Sequence, residues 1–245
     1  MPPARAASLA DLVRRARALT TAATTATATA TAMDGGPRAV LGITGSPGAG
    51  KSTLAENLLA ELAPDPPPGS SGPDWVAHVP MDGFHLADVE LDRLGLRDRK
   101  GAPETFDVHG YLALLDRVRR PRDGETVYAP SFARDLEQPI AGAIPVGPGV
   151  RLVITEGNYL LLDDGPWAGL RERFDAVWFC GPDDVLRLER LVRRHERFGK
   201  DPQSARAWAT GPDGRNAVRV EATRHRADLV VGPDLLDRLT PADAG

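Results

Sequence analysis

Gly45-Ser46-Pro47-Gly48-Ala49-Gly50-Lys51-Ser52 is the stretch on which the reading of this chain turns. It matches G-x-x-x-x-G-K-[ST], the phosphate-binding loop, at every fixed position, and its flanks have the character the motif demands. Ala39-Val40-Leu41-Gly42-Ile43-Thr44 is an apolar run that predicts a strand entering the loop, and Ser52 to Leu62 has the apolar spacing of a helix leaving it. Glycines let the backbone curl so that successive N–H groups point at phosphate oxygens, and the helix N-terminus adds its positive end. Lys51 is expected to reach the β- and γ-phosphates, and the Ser52 hydroxyl to ligate Mg2+. Gly45, Ser46, Pro47, Gly48, Ala49, Gly50, Lys51, Ser52 and Thr53 are thus the predicted nucleotide-binding residues.

Outward from the loop, apolar runs alternate with helical patterns. Trp75 to Val79, Val150 to Thr155, Asp175 to Cys180 and Asp228 to Val231 read as strands; Val108 to Val118 and Asp183 to Arg197 read as helices. Pro64 to Pro73 is rich in Pro, Gly and Ser and reads as a loop. This alternation predicts a three-layer α/β/α fold with a mostly parallel central sheet. Ahead of it, Ser8 to Leu19 is a predicted helix with Ser8 as N-cap, and Thr20 to Ala32, almost pure Thr and Ala, reads as a linker. Residues 1–36 are therefore read as an N-terminal helix and linker ahead of a kinase domain over 37–245; removing residues 1–34 is expected to leave nucleotide binding intact, with docking of the Ser8 to Leu19 helix on the domain left open.

Composition narrows the partners. The chain has 245 residues, 42% hydrophobic and 26% charged, with a net charge of −4. That charge gives no electrostatic case for nucleic acid or an anionic membrane. No run approaches the ~18 apolar residues of a membrane span. Met1-Pro2-Pro3 and the Ala and Arg that follow lack the apolar core of a secretory signal, although such an acid-poor start also mimics a transit peptide. A single cysteine, Cys180, rules out a disulfide framework within the chain, reads as a small buried hydrophobe and suits a reducing cytoplasm. Only three of the basic residues are lysines, Lys51, Lys100 and Lys200, which singles each of them out. A homodimer is left open.

The loop alone serves kinases, GTPases and transport motors alike, so other residues must decide. None of the three asparagines, Asn57, Asn158 and Asn216, is followed by Lys, so the guanine-reading Asn-Lys-x-Asp is missing. After the Trp75–Val79 run comes Met81-Asp82-Gly83-Phe84-His85, which sets a carboxylate at the carboxyl end of a strand, the ligand side of an open α/β sheet. Asp82 is placed to accept the proton of an attacking hydroxyl, and Gly83 to turn Phe84 and His85 over the pocket. Glu156 likewise ends the Val150–Thr155 run, where it can hold Mg2+ or bind acceptor hydroxyls.

These residues resemble the superfamily of uridine kinase, phosphoribulokinase and bacterial pantothenate kinase. The pieces that carry the resemblance are Gly45 to Thr53, Met81 to Phe84, Gly95 to Asp107, Tyr128-Ala129-Pro130 and Thr155-Glu156-Gly157-Asn158, spanning about Arg38 to Val231. Within it the chain looks most like a nucleoside/nucleotide kinase-like branch that includes proteins labelled fructose-transport-system kinases. The resemblance implies ATP, Mg2+, Asp82 as base and a mobile lid. That lid falls within about 187–216, where Arg190, Arg194 and Arg197 would close onto the phosphates, with Arg194 taken as catalytic and Arg190 as nucleotide-binding. Asn216 and Arg224 are further candidates for base or substrate contact. After Tyr128-Ala129-Pro130, pantothenate kinases carry an aromatic-rich, histidine-containing segment, whereas this chain has Ser131-Phe132-Ala133-Arg134-Asp135.

The expectation is therefore an ATP-dependent kinase acting on a hydroxyl of a small metabolite. Asp82, Phe84, His85, Arg134 and Glu156 would bind the acceptor, with a nucleoside or sugar favoured over pantothenate. The competing reading is a P-loop NTPase regulator or metallochaperone that works through a protein partner.

Overall fold

The computed structural model describes residues 3–27, 38–68, 70 and 72–239. Six strands form one parallel sheet in the order β1-β8-β7-β2-β6-β3. They are β1 (Ala4–Arg5), β2 (Ala39–Thr44), β3 (Val76–His78), β6 (Leu152–Gly157), β7 (Ala176–Cys180) and β8 (Leu229–Val231). The register sets Ile43 beside Glu156 and Thr44 beside both Gly157 and Phe179, so three strand ends meet at the phosphate-binding loop.

Side chains alternate across the sheet and so define its two faces. Ala39, Leu41 and Ile43 of β2, with Leu152 and Ile154 of β6, join the core beneath α1 (Leu9–Thr27) and α2 (Lys51–Leu62). Val40, Val153, Val177 and Phe179 point the other way, into the core with α4 (Val108–Arg119). Apolar residues on both faces of each central strand require a helical layer on each side. The three-layer expectation holds.

Two features go beyond the reading of the sequence. The N-terminal helix docks on the domain, the alternative that the sequence left open. β1 extends the sheet by pairing Ala4 with Leu229 and Arg5 with Val230, and α1 buries Leu12 and Ala16 completely against the core. The helix also runs on to Thr27, through part of the expected linker; the rest of that linker lies outside the described residues. Ser8 caps it as expected, its Oγ accepting from the Asp11 amide at 3.1 Å.

The second difference is an antiparallel hairpin, β4 (Val127–Ala133) and β5 (Gln138–Val146), which stands off the main sheet and had no counterpart in the sequence reading. The remaining helices are α3 (Asp88–Leu94), α5 (Asp184–Arg197), α6 (Pro202–Thr210), α7 (Pro212–Ala222) and α8 (Pro233–Leu236). Asp183 caps α5 by accepting from the Val185 and Leu186 amides. Asp201 does the same for α6 through Gln203 and Ser204.

Candidate active site

The phosphate-binding loop sits between β2 and α2 and is clamped from above by α5. Gly48 has φ +81°, and a Cβ there would lie 2.9 Å from the carbonyl oxygen of Arg187 and 3.1 Å from Cβ of Leu191. Only glycine meets both demands. Arg187, itself buried, donates from Nη1 to the Pro47 carbonyl at 3.0 Å and holds Asp184 through Nε at 2.7 Å. From α7, Glu221 accepts a hydrogen bond from Ser46 Oγ at 3.0 Å. Lys51 lies buried over its own loop, its Nζ donating to the Ser46 carbonyl at 3.2 Å. Burial pushes the Lys51 ammonium below its ordinary pKa, against the pull of Glu156 and then Asp82.

Those two carboxylates arrive from neighbouring strand ends, as the sequence implied. Glu156 ends β6, is almost fully buried, and accepts from Ser52 Oγ at 3.0 Å. Burial and then the charge of Asp82 raise its carboxyl above the ordinary range. Asp82 rides on a single 3-10 turn, Met81–Phe84, beyond β3. Arg134, the first residue of the turn that joins β4 to β5, donates from Nη2 to Asp82 Oδ2 at 3.0 Å. Burial alone would raise the Asp82 carboxyl, but His85 whenever its ring is charged, together with the standing charges of Arg134 and Lys51, outweighs it and holds the group low. One acid is thus kept ionised while its neighbour is made a weaker acid. Gly83 lets the hairpin come this close, because a Cβ there would lie 2.7 Å from the Pro130 carbonyl carbon.

His85 is lodged between Phe106 and Phe132, with ring centroids 4.1 and 4.7 Å away. Its Nδ1 lies 2.7 Å from the Asp82 carbonyl oxygen. A carbonyl only accepts, so Nδ1 carries the proton. Burial lowers the His85 pKa and favours the neutral ring, which leaves Nε2 as an acceptor.

A cavity of about 300 Å3 opens beside Asp82. Of the predicted residues it is lined by Pro47, Asp82, His85, Arg134 and Arg194. Lys51, Ser52 and Glu156 lie beneath, linked as described. Thr53 sits on the first turn of α2. Two expectations fail. Phe84 is buried in the core, its ring 5.2 Å from Tyr111, so it supports the turn and does not face the pocket. Arg190 points away, pairing with Asp237 at 2.8 Å. Arg190 stands only about 40° from Arg194 around α5, so the Asp237 carboxylate, and not helix phase, holds it off the cavity. Asn216 is buried and donates to the Gly101 carbonyl at 3.3 Å, and Arg224 lies over the Phe179 ring at 5.7 Å.

Five residues had no site role in the sequence reading: Arg187, the pair His195–Asp213 (2.7 Å, joining α5 to α7), and Lys100 and Lys200 in the cavity wall. The scarcity of lysine was the one signal pointing to the last two.

The donor set suits a nucleotide with its magnesium. A hydroxyl and a carboxylate, Ser52 and Glu156, are hard oxygen ligands of the kind Mg2+ takes. Among the described residues no group of three or more His, Cys, Asp or Glu is placed to hold a metal, so the ion would lean on the nucleotide's phosphates. A Cβ on Gly50 would meet nothing within 4 Å, which leaves the mouth of the loop open to those phosphates.

A parallel three-layer sheet with this loop at its centre defines a P-loop nucleotide-binding protein. The comparisons go further. A crystal structure of a "putative fructose transport system kinase" from Silicibacter sp. TM1040 superposes with a TM-score of 0.71 at 37% identity, covering 86% of this chain and 98% of that one. A "Putative uridine kinase" of Schizosaccharomyces pombe is 35% identical over 64% of this chain and 66% of its own. The pantothenate kinase of Bacillus velezensis is 37% identical over 67% of this chain and 53% of its own. A family model described as methylmalonyl Co-A mutase-associated GTPase MeaB matches residues 5–65, which end before Asp82. The chain belongs to the uridine kinase/pantothenate kinase-like P-loop kinases. Among the described residues no helix is long and apolar enough to cross a membrane.

Proposed function

We propose that this protein transfers the γ-phosphate of Mg-ATP to a hydroxyl of a small metabolite, with a nucleoside or sugar favoured over pantothenate. The observation that carries the reading is Asp82: an ionised carboxylate that opens onto a cavity beside the phosphate-binding loop and is steadied by Arg134 at 3.0 Å. In the reaction Asp82 takes the proton of the acceptor hydroxyl as its oxygen bonds to the γ-phosphorus and the bond to the β-phosphate oxygen breaks. Lys51 and Arg194 offset the charge that builds on the transferred group and on departing ADP. Magnesium, held by Ser52 and the Glu156 side, would supply further neutralisation when bound. The lone, buried Cys180, whose thiol burial pushes up to about 12, supports a reducing, cytoplasmic setting.

The acceptor preference rests on the cavity's polar wall. Asp82 and the Nε2 of His85 are hydrogen-bond acceptors, which call for hydroxyl donors, and Phe132 and Arg134 stand where pantothenate kinases carry their aromatic-rich, histidine-containing segment. Coupled ADP release at saturating Mg-ATP, run across nucleosides, sugars and pantothenate, tests the reading. Acceptor-dependent ADP formation is expected, reduced by ~10²-fold or more in Asp82→Asn with nucleotide binding retained. Lys51→Ala should weaken nucleotide binding and cut turnover by orders of magnitude. The match of residues 5–65 to a GTPase family favours one other reading, a nucleotide-driven regulator. Hydrolysis indifferent to every acceptor but accelerated by a protein partner would establish that instead.

A further inference from the structure

The cavity beside Asp82 is cationic in a chain of net charge −4. Arg97, Lys100, Arg134, Arg194 and Lys200 line it. Four carboxylates line it too, and each is already engaged. Asp82 is held by Arg134, and Asp88 is shared between Lys100 at 2.7 Å and Arg97 at 2.8 Å. Asp213 is held by His195 at 2.7 Å, and Glu137 faces Lys100 at 3.9 Å. Among the described residues Arg194 and Lys200 make no ion pair.

The way these cations are held is a second, independent sign. Lys100 Nζ lies 5.5 Å and the Arg134 guanidinium 5.8 Å from the centroid of Phe132, while Lys200 Nζ lies 4.8 Å from that of Trp208. An aromatic face fixes a cation in place without cancelling its charge, whereas a carboxylate does both. Lys200, steadied in this way alone, stays fully available to an incoming anion, while Lys100 shares its carboxylate with Arg97. Closing the lid over a neutral acceptor would instead bury Lys200 without a counter-charge, which is costly.

We propose that the acceptor carries a phosphate monoester, remote from the hydroxyl that is phosphorylated, and that Lys100 and Lys200 bind it. This rests on the kinase reading and narrows its acceptor to a phosphorylated sugar or polyol. Arg194 is taken by the donor's phosphates in that reading. Lys200, without a counter-ion, and Lys100, which shares its one close carboxylate with Arg97, then match a dianion better than the single charge of a carboxylate. The acceptor's own phosphate is a spectator. The hydroxyl oxygen bonds to the γ-phosphorus, the bond to the β-phosphate oxygen breaks, the proton goes to Asp82, and the product is a bisphosphate plus ADP.

The test compares matched pairs, fructose with fructose 6-phosphate and ribose with ribose 5-phosphate, with gluconate as the carboxylate arm. Turnover is read as ADP release. Binding is read separately by calorimetry on protein saturated with a non-hydrolysable ATP analogue, so that the loop's own phosphate site is occupied. At least one phosphorylated member should show a KM and a Kd about tenfold or more below its neutral parent, the scale of one charge-assisted contact. Lys200→Met should raise both by a similar factor without moving the KM for Mg-ATP. Equal or better turnover of neutral sugars or gluconate would overturn the phosphate claim and leave the kinase reading standing. Tight binding of a phosphorylated sugar without any turnover would support the anion site and count against the kinase reading. Absence of both would overturn both.

Discussion

Replacing Arg134 by Gln should move the acid limb of the pH–activity profile upward. In the proposed reaction Asp82 acts as a base only when ionised, so the limb of kcat/KM should follow the pKa of its carboxyl in the free enzyme. The folded environment holds that pKa low, and the 3.0 Å contact with Arg134 is one of its causes. An opposite charge at this range lowers a carboxyl by about 1–3 units. The Arg134 side chain is 37% exposed and Asp82 24%, so solvent screens the pair and the upward shift on losing the charge falls at the small end of that range. Gln keeps the hydrogen-bonding reach but removes the charge, and Lys51 and Arg194 remain, so the shift is upward but partial. Glu156, raised and close by, titrates together with Asp82, and the limb reports the pair. Arg134→Lys is therefore measured alongside, because it restores the charge and should return the limb most of the way. The assay is ADP release with the best acceptor between pH 4.5 and 9. A limb that stays in place in Arg134→Gln, or that Lys fails to rescue, would refute the assignment of Arg134 as the counter-ion that positions and ionises Asp82.

Leu12→Ala, on the N-terminal helix, should cost about 2–5 kcal/mol because the side chain is completely buried. For a chain this size that lowers Tm by roughly 4–20 °C in calorimetry, whereas Arg14→Ala on the exposed face of the same helix should change it little. Deleting residues 1–34 should likewise lower Tm strongly, the outcome that makes the docking of α1 structural. Gly83→Ala should push the hairpin off the Asp82 turn, costing about 1–3 kcal/mol in stability. Acceptor turnover should fall while a fluorescent nucleotide still binds, since the phosphate-binding loop lies on other elements.

What was legible in the sequence was what local patterns encode. β2, the loop and α2 follow from an apolar run, a fixed motif and a helical period, and all three stand where the sequence set them. Strand-end acids were legible because the carboxyl edge of a parallel sheet is where ligands bind. α1 was under-read because its Thr/Ala tract looks like low complexity, yet alanine is the strongest helix former, and the helix persists to Thr27. The hairpin was hidden for a different reason. Pro130, Pro139 and Pro145 lie inside its two strands, and proline argues against a strand in a sheet interior. A two-stranded hairpin is all edge, and the register shift between Ala129 and Ser131 takes up Pro130. Arg134 rides on that hairpin, so its meeting with Asp82, 52 residues away, could not be read from spacing.

The same division bears on which P-loop protein this is. The segment matched by the GTPase family model contains β1, α1, β2, the loop and α2, a cradle that serves kinases and hydrolases equally. Everything that separates the two lies beyond it: the Asp82 turn, the hairpin with Phe132 and Arg134, and the lid that brings Arg194, Lys200 and Trp208 over one cavity. A hydrolase driven by a protein partner needs only a positioned water next to the γ-phosphate. It has no use for a cavity of about 300 Å3 with cations held on aromatic rings. Arg194 and Lys200 in that wall have no ion-pair partner among the described residues. An anionic second substrate, as proposed above, would supply one.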